Sequence, residues 1–514
     1  MPWEPIVLVL LAAAVWGWQF YFRELVPPFE DAAMLLRYAQ HLADGHGIVW
    51  NVGDAPVDGA TDFLFMVMVA GLVKLGLGLE SAARVLTLVA HGLTIIGVYG
   101  IHRRQAGATT WSAGLSALIV GTGPGWNYCE ALFGTPVFAV AGLFAYGHFM
   151  EMMMDRGRQR NAIGFAAWGI VTGLIRPEGV ILVVGMLLSM LWYLRDRLRR
   201  QVLQWFLVLF VIPGAIYFGW HWWYFGHPLP NPFYVKGGGT LYLASLKASF
   251  ISVVKMGLIL LPILAWAAWK KDARRKTMLL IGPVFLFAVS WILMSNAMNF
   301  SSRFQYILMP ILWVAWMPIV GMMRPGISIR GKWLIVAVLL TAVMLAFHWF
   351  SYAGHSRIHR DGRADLGIEL REWADKGYTM AVTEAGNLPL HSGWRAIDTW
   401  GLNDSRIAHQ GYVDAAYLDR EAPVLVMVHD YYGSDLKKLR IEPEWSVMTD
   451  SLDQYLKSRD YELVARWGRV PESSHFYYLK RGVPAFEELK WLFDGFPYFW
   501  YEDGYLAENF LQTR

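Results

Sequence analysis

The sequence predicts a mostly α-helical, polytopic membrane bundle followed by a small extracytoplasmic α/β domain. Three observations carry that prediction. Of 514 residues, 55% are hydrophobic and 26 are Trp, with a positive mean hydropathy, a composition outside the range of water-soluble enzymes. Membrane-length apolar runs recur as far as position 350, most of them separated from the next by a short polar segment. Beyond Tyr352 the pattern changes: no such run occurs, charges are frequent, and short β-like stretches alternate with helical ones.

Reading the apolar runs as spans places helices near 5–22, 82–101, 111–123, 135–150, 162–175, 178–194, 203–224, 250–269, 277–294, 304–322 and 333–350, about eleven transmembrane helices in all. The first lacks a basic leader and a cleavage site and reads as an uncleaved span. The run 63–77 is short, has Asp62 and Lys74 at its ends, and is expected along the membrane surface. With that choice the basic loops His102–Arg104, Arg156–Arg160, Arg195–Arg200, Lys270–Lys276 and Arg324–Lys332 share one side, the cytoplasm by the positive-inside rule. The chemically unusual loops 23–81, 123–134, 176–179, 225–247 and 296–303 then all share the other side with the C-terminal segment. This gives two parts: a membrane domain over 1–352 and a soluble α/β domain over 353–514, with strands expected at Met380–Thr383 and Pro423–Val428 and helices at Leu366–Lys376 and Ser451–Arg459. The single cysteine, Cys129, excludes an intrachain disulfide and a cysteine zinc site.

The adjacent carboxylates Glu30 and Asp31 follow the first apolar run, at the mouth of the bundle, where acids are costly and mark function. Asp31 begins a segment with apolar residues at Ala33, Leu35, Leu36, Ala39 and Leu42, interrupted by Arg37, which reads as an amphipathic helix lying on the membrane. A carboxylate at such a helix N-terminus is held ionised and suits a general base toward a sugar hydroxyl, or a nucleophile. Gly45-His46-Gly47 breaks the helix, with His46 first a turn residue, and Trp50 is expected as an interface anchor. Arg176 and Glu178 flank Pro177 between two apolar runs, either as a buried ion pair or as a recognition element. Arg303 and Lys236 could neutralise a phosphate, Arg by a bidentate grip and Lys as a point charge. Trp220, Trp222, Trp223 and Tyr224 read as an interfacial belt. No Walker loop, Rossmann fingerprint, His-Glu-x-x-His or Cys-x-x-Cys occurs, and no nucleic-acid partner is expected. Metal dependence stays open from the sequence, because Glu30, Asp31 and His46 could hold a divalent cation or none.

The run Glu30-Asp31-Ala32, Arg37-Tyr38-Ala39 and Leu42 to Asn51, followed by Val57-Asp58-Gly59-Ala60-Thr61-Asp62-Phe63-Leu64, resembles the first extracytoplasmic loop of the GT-C glycosyltransferases related to the mycobacterial terminal β-(1→2) arabinofuranosyltransferases. Similar segments follow in order at Arg176-Pro177-Glu178-Gly179, Phe225 to Lys236, Arg303-Phe304, Thr383 to Pro389, and Ile397 to Asp404. The resemblance implies a GT-C bundle with a periplasmic C-terminal domain in a bacterial inner membrane. It also implies a polyprenyl-phosphate-linked sugar donor and a glycan or glycoprotein acceptor. It makes Asp31 catalytic with Glu30 in support, and puts His46, Trp50, Asp58, Arg176, Glu178, Asn231, Tyr234, Lys236 and Arg303 around the substrate. Asp58-Gly59-Ala60-Thr61-Asp62 departs from the family's Glu-Gly-Tyr-Thr-Asn, leaving open another lipid-linked sugar such as mannose. A flippase for lipid-linked saccharides is the rival of a different class, weakened by the scarcity of charge within the spans.

Overall fold

A computed structural model describes residues 27–105, 108–154, 158–237, 239–296, 298–323, 362–429, 443–468 and 474–496. The runs near 5–22 and 333–350, and the boundary near 353, lie outside the described residues. Among the described residues, three helices are long and apolar enough to cross a membrane: Leu79–Arg103, Asp196–Phe225 and Ala273–Leu293. Leu79–Arg103 shows how the sequence divides its faces. Val85, Val89, Leu93 and Ile96 form an exposed stripe at helical spacing, as lipid contact requires, while Ala83, Thr87, Ala90, His91 and Thr94 are buried in the bundle. Asp196–Phe225 carries a π turn at Leu207–Val211 just ahead of Pro213, whose missing N–H interrupts the regular ladder. It stops at Gly226 with φ 77°, a left-handed cap that glycine adopts at little cost.

The run 250–269 is not one continuous helix. It forms two helices, Leu243–Gly257 and Leu261–Trp269, bent by 98°, with Gly257 and Pro262 on either side of the break. The runs at 111–123 and 304–322 also shorten, to helices Thr110–Gly121 and Leu308–Met323, the latter preceded by irregular backbone from Asn299. Phe63–Lys74 has 12 residues. At 1.5 Å per residue it is about 18 Å long, too short for a hydrocarbon core of about 30 Å.

The C-terminal part is an α/β layer. Strands β1 (Thr379–Val382), β2 (Arg395–Asp398), β3 (Leu425–His429), β4 (Tyr461–Gly468) and β5 (Ser474–Lys480) form one sheet in the order β2-β1-β3-β5-β4. β1 pairs in parallel with β2 and β3, and β5 runs antiparallel to β3 and β4. The expected strands and helices of this part are present, Leu366–Lys376 as an α-helix to Leu370 continued by a 3₁₀ turn. One face packs into a core continuous with the bundle; the other buries Ala381, Ile397 and Val426 against Trp445, Met448 and Leu452.

The Glu30–Ala43 helix joins the two parts and corrects the expectation that it lies on the membrane. Ala32, Ala33, Leu35, Leu36, Arg37, Tyr38 and Ala39 are all buried, right round its circumference, because the C-terminal domain covers the side an isolated amphipathic helix would show to water. Arg37, the apparent interruption, is 3% exposed. It donates to the carbonyls of Trp50 (2.8 Å), Trp394 (2.8 Å) and Pro389 and to Asn51 Oδ1 (3.2 Å). Trp50 is not an interface anchor either: it is 2% exposed, carries Arg37 over its ring at 4.8 Å, and donates its indole N–H to the Ala396 carbonyl at 2.8 Å. Burial of indole and guanidinium is tolerable here because each donor named finds an acceptor.

Gly386 lies where the seam is tightest. A Cβ there would sit 2.2 Å from the Glu30 carbonyl oxygen, a backbone atom that cannot swing aside. Gly386→Ala is therefore expected to part the C-terminal domain from the Glu30–Ala43 helix, seen as a lower thermal midpoint in detergent and faster limited proteolysis of the C-terminal part.

Candidate active site at the N-terminus of the Glu30–Ala43 helix

Glu30 and Asp31 are adjacent in sequence, yet they face different partners. Glu30 Oε1 accepts the backbone N–H groups of Gly386 (2.7 Å) and Asn387 (3.1 Å), Oε2 accepts from the Asn387 amide at 2.9 Å, and Arg363 lies 3.4 Å from Oε2. Asp31 forms an ion pair with Arg303 and keeps 21% of its side chain exposed. The Arg303 side chain is 7% exposed, and its Nε and Nη1 are buried with no hydrogen-bond partner among the described residues. Its guanidinium lies 4.1 Å from the Phe133 ring centre and 4.9 Å from that of Phe304. Phe29 and Phe300 extend the same wall, at 5.2 Å and 6.0 Å from Phe133 and 4.7 Å from each other.

A second guanidinium stands against Phe304. Arg176 is 5.1 Å from that ring, with Nη1 on Asp62 and Nη2 on Glu178, both at 2.7 Å. The two carboxylates and one guanidinium leave this triad one negative charge. Burial pushes the Asp62 carboxyl up, and Arg176 pulls it back. The structure thus makes Arg176 and Glu178 a buried ion pair, one of the two readings open from sequence, and adds Asp62 to it. Asp62 opens an apolar helix, and that was its sequence signal.

The loops that carry Phe133 and Arg303 are held in unusual backbone. Among the described residues, non-glycine positive φ occurs at Leu132 (60°), Met298 (59°), Ser301 (49°), Ser302 (64°) and Ala422 (46°), so four of the five sit beside this site. Such conformations persist only where the surroundings over-determine them, and they gather at functional sites. The clamps are visible: the Tyr128 hydroxyl donates to the Ser301 carbonyl at 2.6 Å, the Ser302 and Ser252 hydroxyls lie 2.9 Å apart, and the Phe29 N–H donates to the Ala131 carbonyl at 3.2 Å.

The other expected residues lie outside this cluster. Asp58 pairs with His221 at 2.6 Å; burial raises its carboxyl, and His221 opposes that rise. Asn231 is buried and gives its backbone N–H to the Asp58 carbonyl at 2.9 Å, fixing the loop before the Asn231–Lys236 helix. Tyr234 packs on His409 at 4.5 Å, and Lys236 sits over Trp400 at 4.9 Å, so both face the C-terminal domain. Lys236 meets the Arg303 loop through its backbone, its carbonyl accepting from Ser295 at 3.0 Å. His46 is exposed, its N–H bonded to the His41 carbonyl at 2.9 Å, the turn residue read first. Glu30, Asp31 and His46 do not form a common cation site: Glu30 is turned to the C-terminal domain, and 15 residues of mostly helical rise, about 20 Å, separate Asp31 from His46. Sequence reading missed Phe133, because an aromatic within an apolar stretch has no mark of its own.

The fold is shared with solved structures of GT-C glycosyltransferases. ArnT from Cupriavidus metallidurans bound to undecaprenyl phosphate aligns with a TM-score of 0.57 at 14% identity, over 92% of this chain and 97% of that one. The archaeal oligosaccharyltransferase AglB from Archaeoglobus fulgidus, in complex with an inhibitory peptide and a dolichol-phosphate, aligns with a TM-score of 0.51 at 11% identity, over 94% of this chain and 75% of that one. The mycobacterial arabinofuranosyltransferase AftD aligns with a TM-score of 0.48 at 12% identity, over 92% of this chain and 41% of that one. Residues 354–483 match a family described as a domain of unknown function, DUF8728. A sequence search among curated proteins gives no match. The chain is thus a membrane protein of GT-C fold, the class that the first-loop resemblance implies.

Replacing Arg176 by Met leaves two buried carboxylates without their cation and is expected to cost about 3–5 kcal/mol. Removing all three charges with Asp62→Asn, Arg176→Met and Glu178→Gln together is expected to cost less than Arg176→Met alone, read as thermal midpoints of the two proteins. A second expectation concerns Asp398, buried under the N–H groups of Trp400, Gly401 and Asn403. Burial lifts its carboxyl to about 6 from 3.8, outweighing those bonds. A raised folded value gives stability that is full below the unfolded value and lost as pH rises through the folded one. The thermal midpoint of Asp398→Asn relative to wild type should therefore rise between pH 4 and pH 7.

Proposed function

We propose that this protein is a membrane glycosyltransferase that moves a sugar from a polyprenyl-phosphate donor to a cell-envelope glycan or glycoprotein acceptor at the extracytoplasmic face. The observation that carries the reading is the Asp31–Arg303 pair, with two donors of a buried guanidinium left open beside a partly exposed carboxylate. A buried donor without an acceptor costs about 1–3 kcal/mol, and a phosphate oxygen satisfies such a donor with a charge-assisted hydrogen bond. The solved structures of like fold add support, since one holds undecaprenyl phosphate and another dolichol-phosphate.

In this reading the acceptor hydroxyl gives its proton to Asp31 as its oxygen bonds to the anomeric carbon. The bond from that carbon to the phosphate oxygen breaks, and the polyprenyl phosphate leaves with the electron pair. Arg303 stabilises the charge that grows on the phosphate, and the aromatic wall keeps water away so that this attraction counts. Alternatively Asp31 attacks the anomeric carbon first, in two displacements. Glu30 acts as a positioning residue, fixing the helix start from which Asp31 projects. Arg176 fixes the Phe304 side of the pocket. In this reading an acceptor enters on the side where Tyr234 and Lys236 face the C-terminal domain, with Asp58 and Asn231 fixing the loop before them.

The narrower reading is a pentofuranose donor, arabinofuranose first, supported by the first-loop resemblance. Purified protein is to be given synthetic polyprenyl-phosphoryl-arabinofuranose and an arabinofuranosyl oligosaccharide, with the mannose donor in parallel. Product is expected with wild type, none with Asp31→Asn, and at least about 100-fold less with Arg303→Met, the size seen when one charge-stabilising donor is removed. Turnover of the mannose donor alone would refute the pentose. No turnover of either, with transbilayer movement of the lipid-linked sugar in vesicles, would replace the transferase by a flippase.

A further inference from the structure

The C-terminal sheet assembles a second cluster that the transferase chemistry does not use. His429 ends β3 and His475 lies near the start of β5, directly opposite each other in the antiparallel register. Directly opposed residues project from the same face, and the two rings stack at 4.3 Å with an interplanar angle of 28°. On the other side of β3, Val382 of β1 stands level with Met427, so Glu384, two residues further on, comes level with His429. Three neighbouring strands thus each bring one ligand-type side chain to one point. That point is at the carboxyl ends of the parallel pair β1 and β3, the edge at which α/β sheets bind ligands.

We propose that Glu384, His429 and His475 bind one divalent metal ion of the zinc class. One ligating atom of each lies within 4.8 Å of the other two. His475 Nε2 is 2.9 Å from Glu384 Oε2, and His429 Nδ1 is 3.2 Å from Glu384 Oε1. A tetrahedral ion with bonds of about 2.0–2.1 Å holds its ligands about 3.3–3.4 Å apart, and the two carboxylate–imidazole separations are close to that. Two imidazoles and one carboxylate suit zinc, cobalt or ferrous iron, and are poor ligands for magnesium or calcium, which want oxygen. His475 is 1% exposed and His429 9% exposed, which keeps competing water away.

Arg363 supports the site. It forms an ion pair with Glu384 and lies 3.4 Å from Glu30 Oε2, so it orients the metal carboxylate from outside as the partner of a ligand does. The charges are consistent: Glu30 and Glu384 against Arg363 leave one negative charge, which a dication with neutral imidazoles reverses by no more than the same amount. Through Arg363 the ion ties β1, β3 and β5 to the Glu30 side of the seam, so its expected effect is to stiffen the join between the sheet and the Glu30–Ala43 helix. The site stands or falls apart from the transferase reading.

The test uses full-length protein in detergent, stripped with a chelator and dialysed, then titrated with Co(II) and Zn(II). About one equivalent is expected to bind per chain, with the visible d–d band of tetrahedral cobalt, its displacement by zinc, and a higher thermal midpoint on zinc addition. Glu384→Gln and His475→Ala should lose the band, and His429→Gln, closer in size to histidine, serves if either of those elutes as aggregate. Wild type that takes up neither metal in stoichiometric amount overturns the proposal. So does a cobalt band unchanged in the monodisperse variants.

Discussion

The first turn of the Glu30–Ala43 helix carries two neighbouring carboxylates with different obligations, and the arrangement of both domains depends on that division. Glu30 receives the backbone amides of Gly386 and Asn387, which pins the C-terminal domain to the bundle. Asp31, one residue on, meets Arg303 from the far end of the membrane domain. Because successive residues on a helix point about 100° apart, one backbone can serve both contacts without distortion. A helix N-terminus also favours negative charge, so two acids together there are less costly than elsewhere.

Around that point the structure repeatedly buries cations and satisfies them in different ways. Arg37 spends its donors on carbonyls of two domains. Arg176 is neutralised by Asp62 and Glu178, and Arg363 bridges Glu30 and Glu384. Arg303 alone of these four pairs with a partly exposed acid and keeps two buried donors open. Arg303 differs from the other three in the number of buried donors it leaves open, and the proposed phosphate contact rests on that difference. Strained backbone at Leu132, Met298, Ser301 and Ser302 marks the same place independently.

The apolar periodicity was sufficient to read the bundle and the change to an α/β sheet after it, since burial in lipid and burial in a sheet leave different repeats. The Arg176 and Arg303 loops were legible for a related reason: charge at the end of an apolar run is costly and so conspicuous. Local pattern failed where a third element intervened. The Glu30–Ala43 helix looked amphipathic and membrane-bound, and Trp50 looked like an interface anchor, because nothing near them in the chain signals the C-terminal domain some 350 residues away that covers both. The break in 250–269 was hidden by continuous hydrophobicity, which reports burial and says nothing of axis direction.

The sequence by itself determined the class of fold, the acidic first loop and the set of polar residues available for chemistry, because composition and period record the solvent each segment meets. Only the tertiary structure decided the assignments within that set: Asp31 to Arg303, Glu30 to the C-terminal domain, Asp62 to Arg176, and Glu384, His429 and His475 to one another. Each of those is a contact of a few ångströms between residues distant in the chain. Spacing along the backbone carries no information about such a contact until the helices and strands between them are packed.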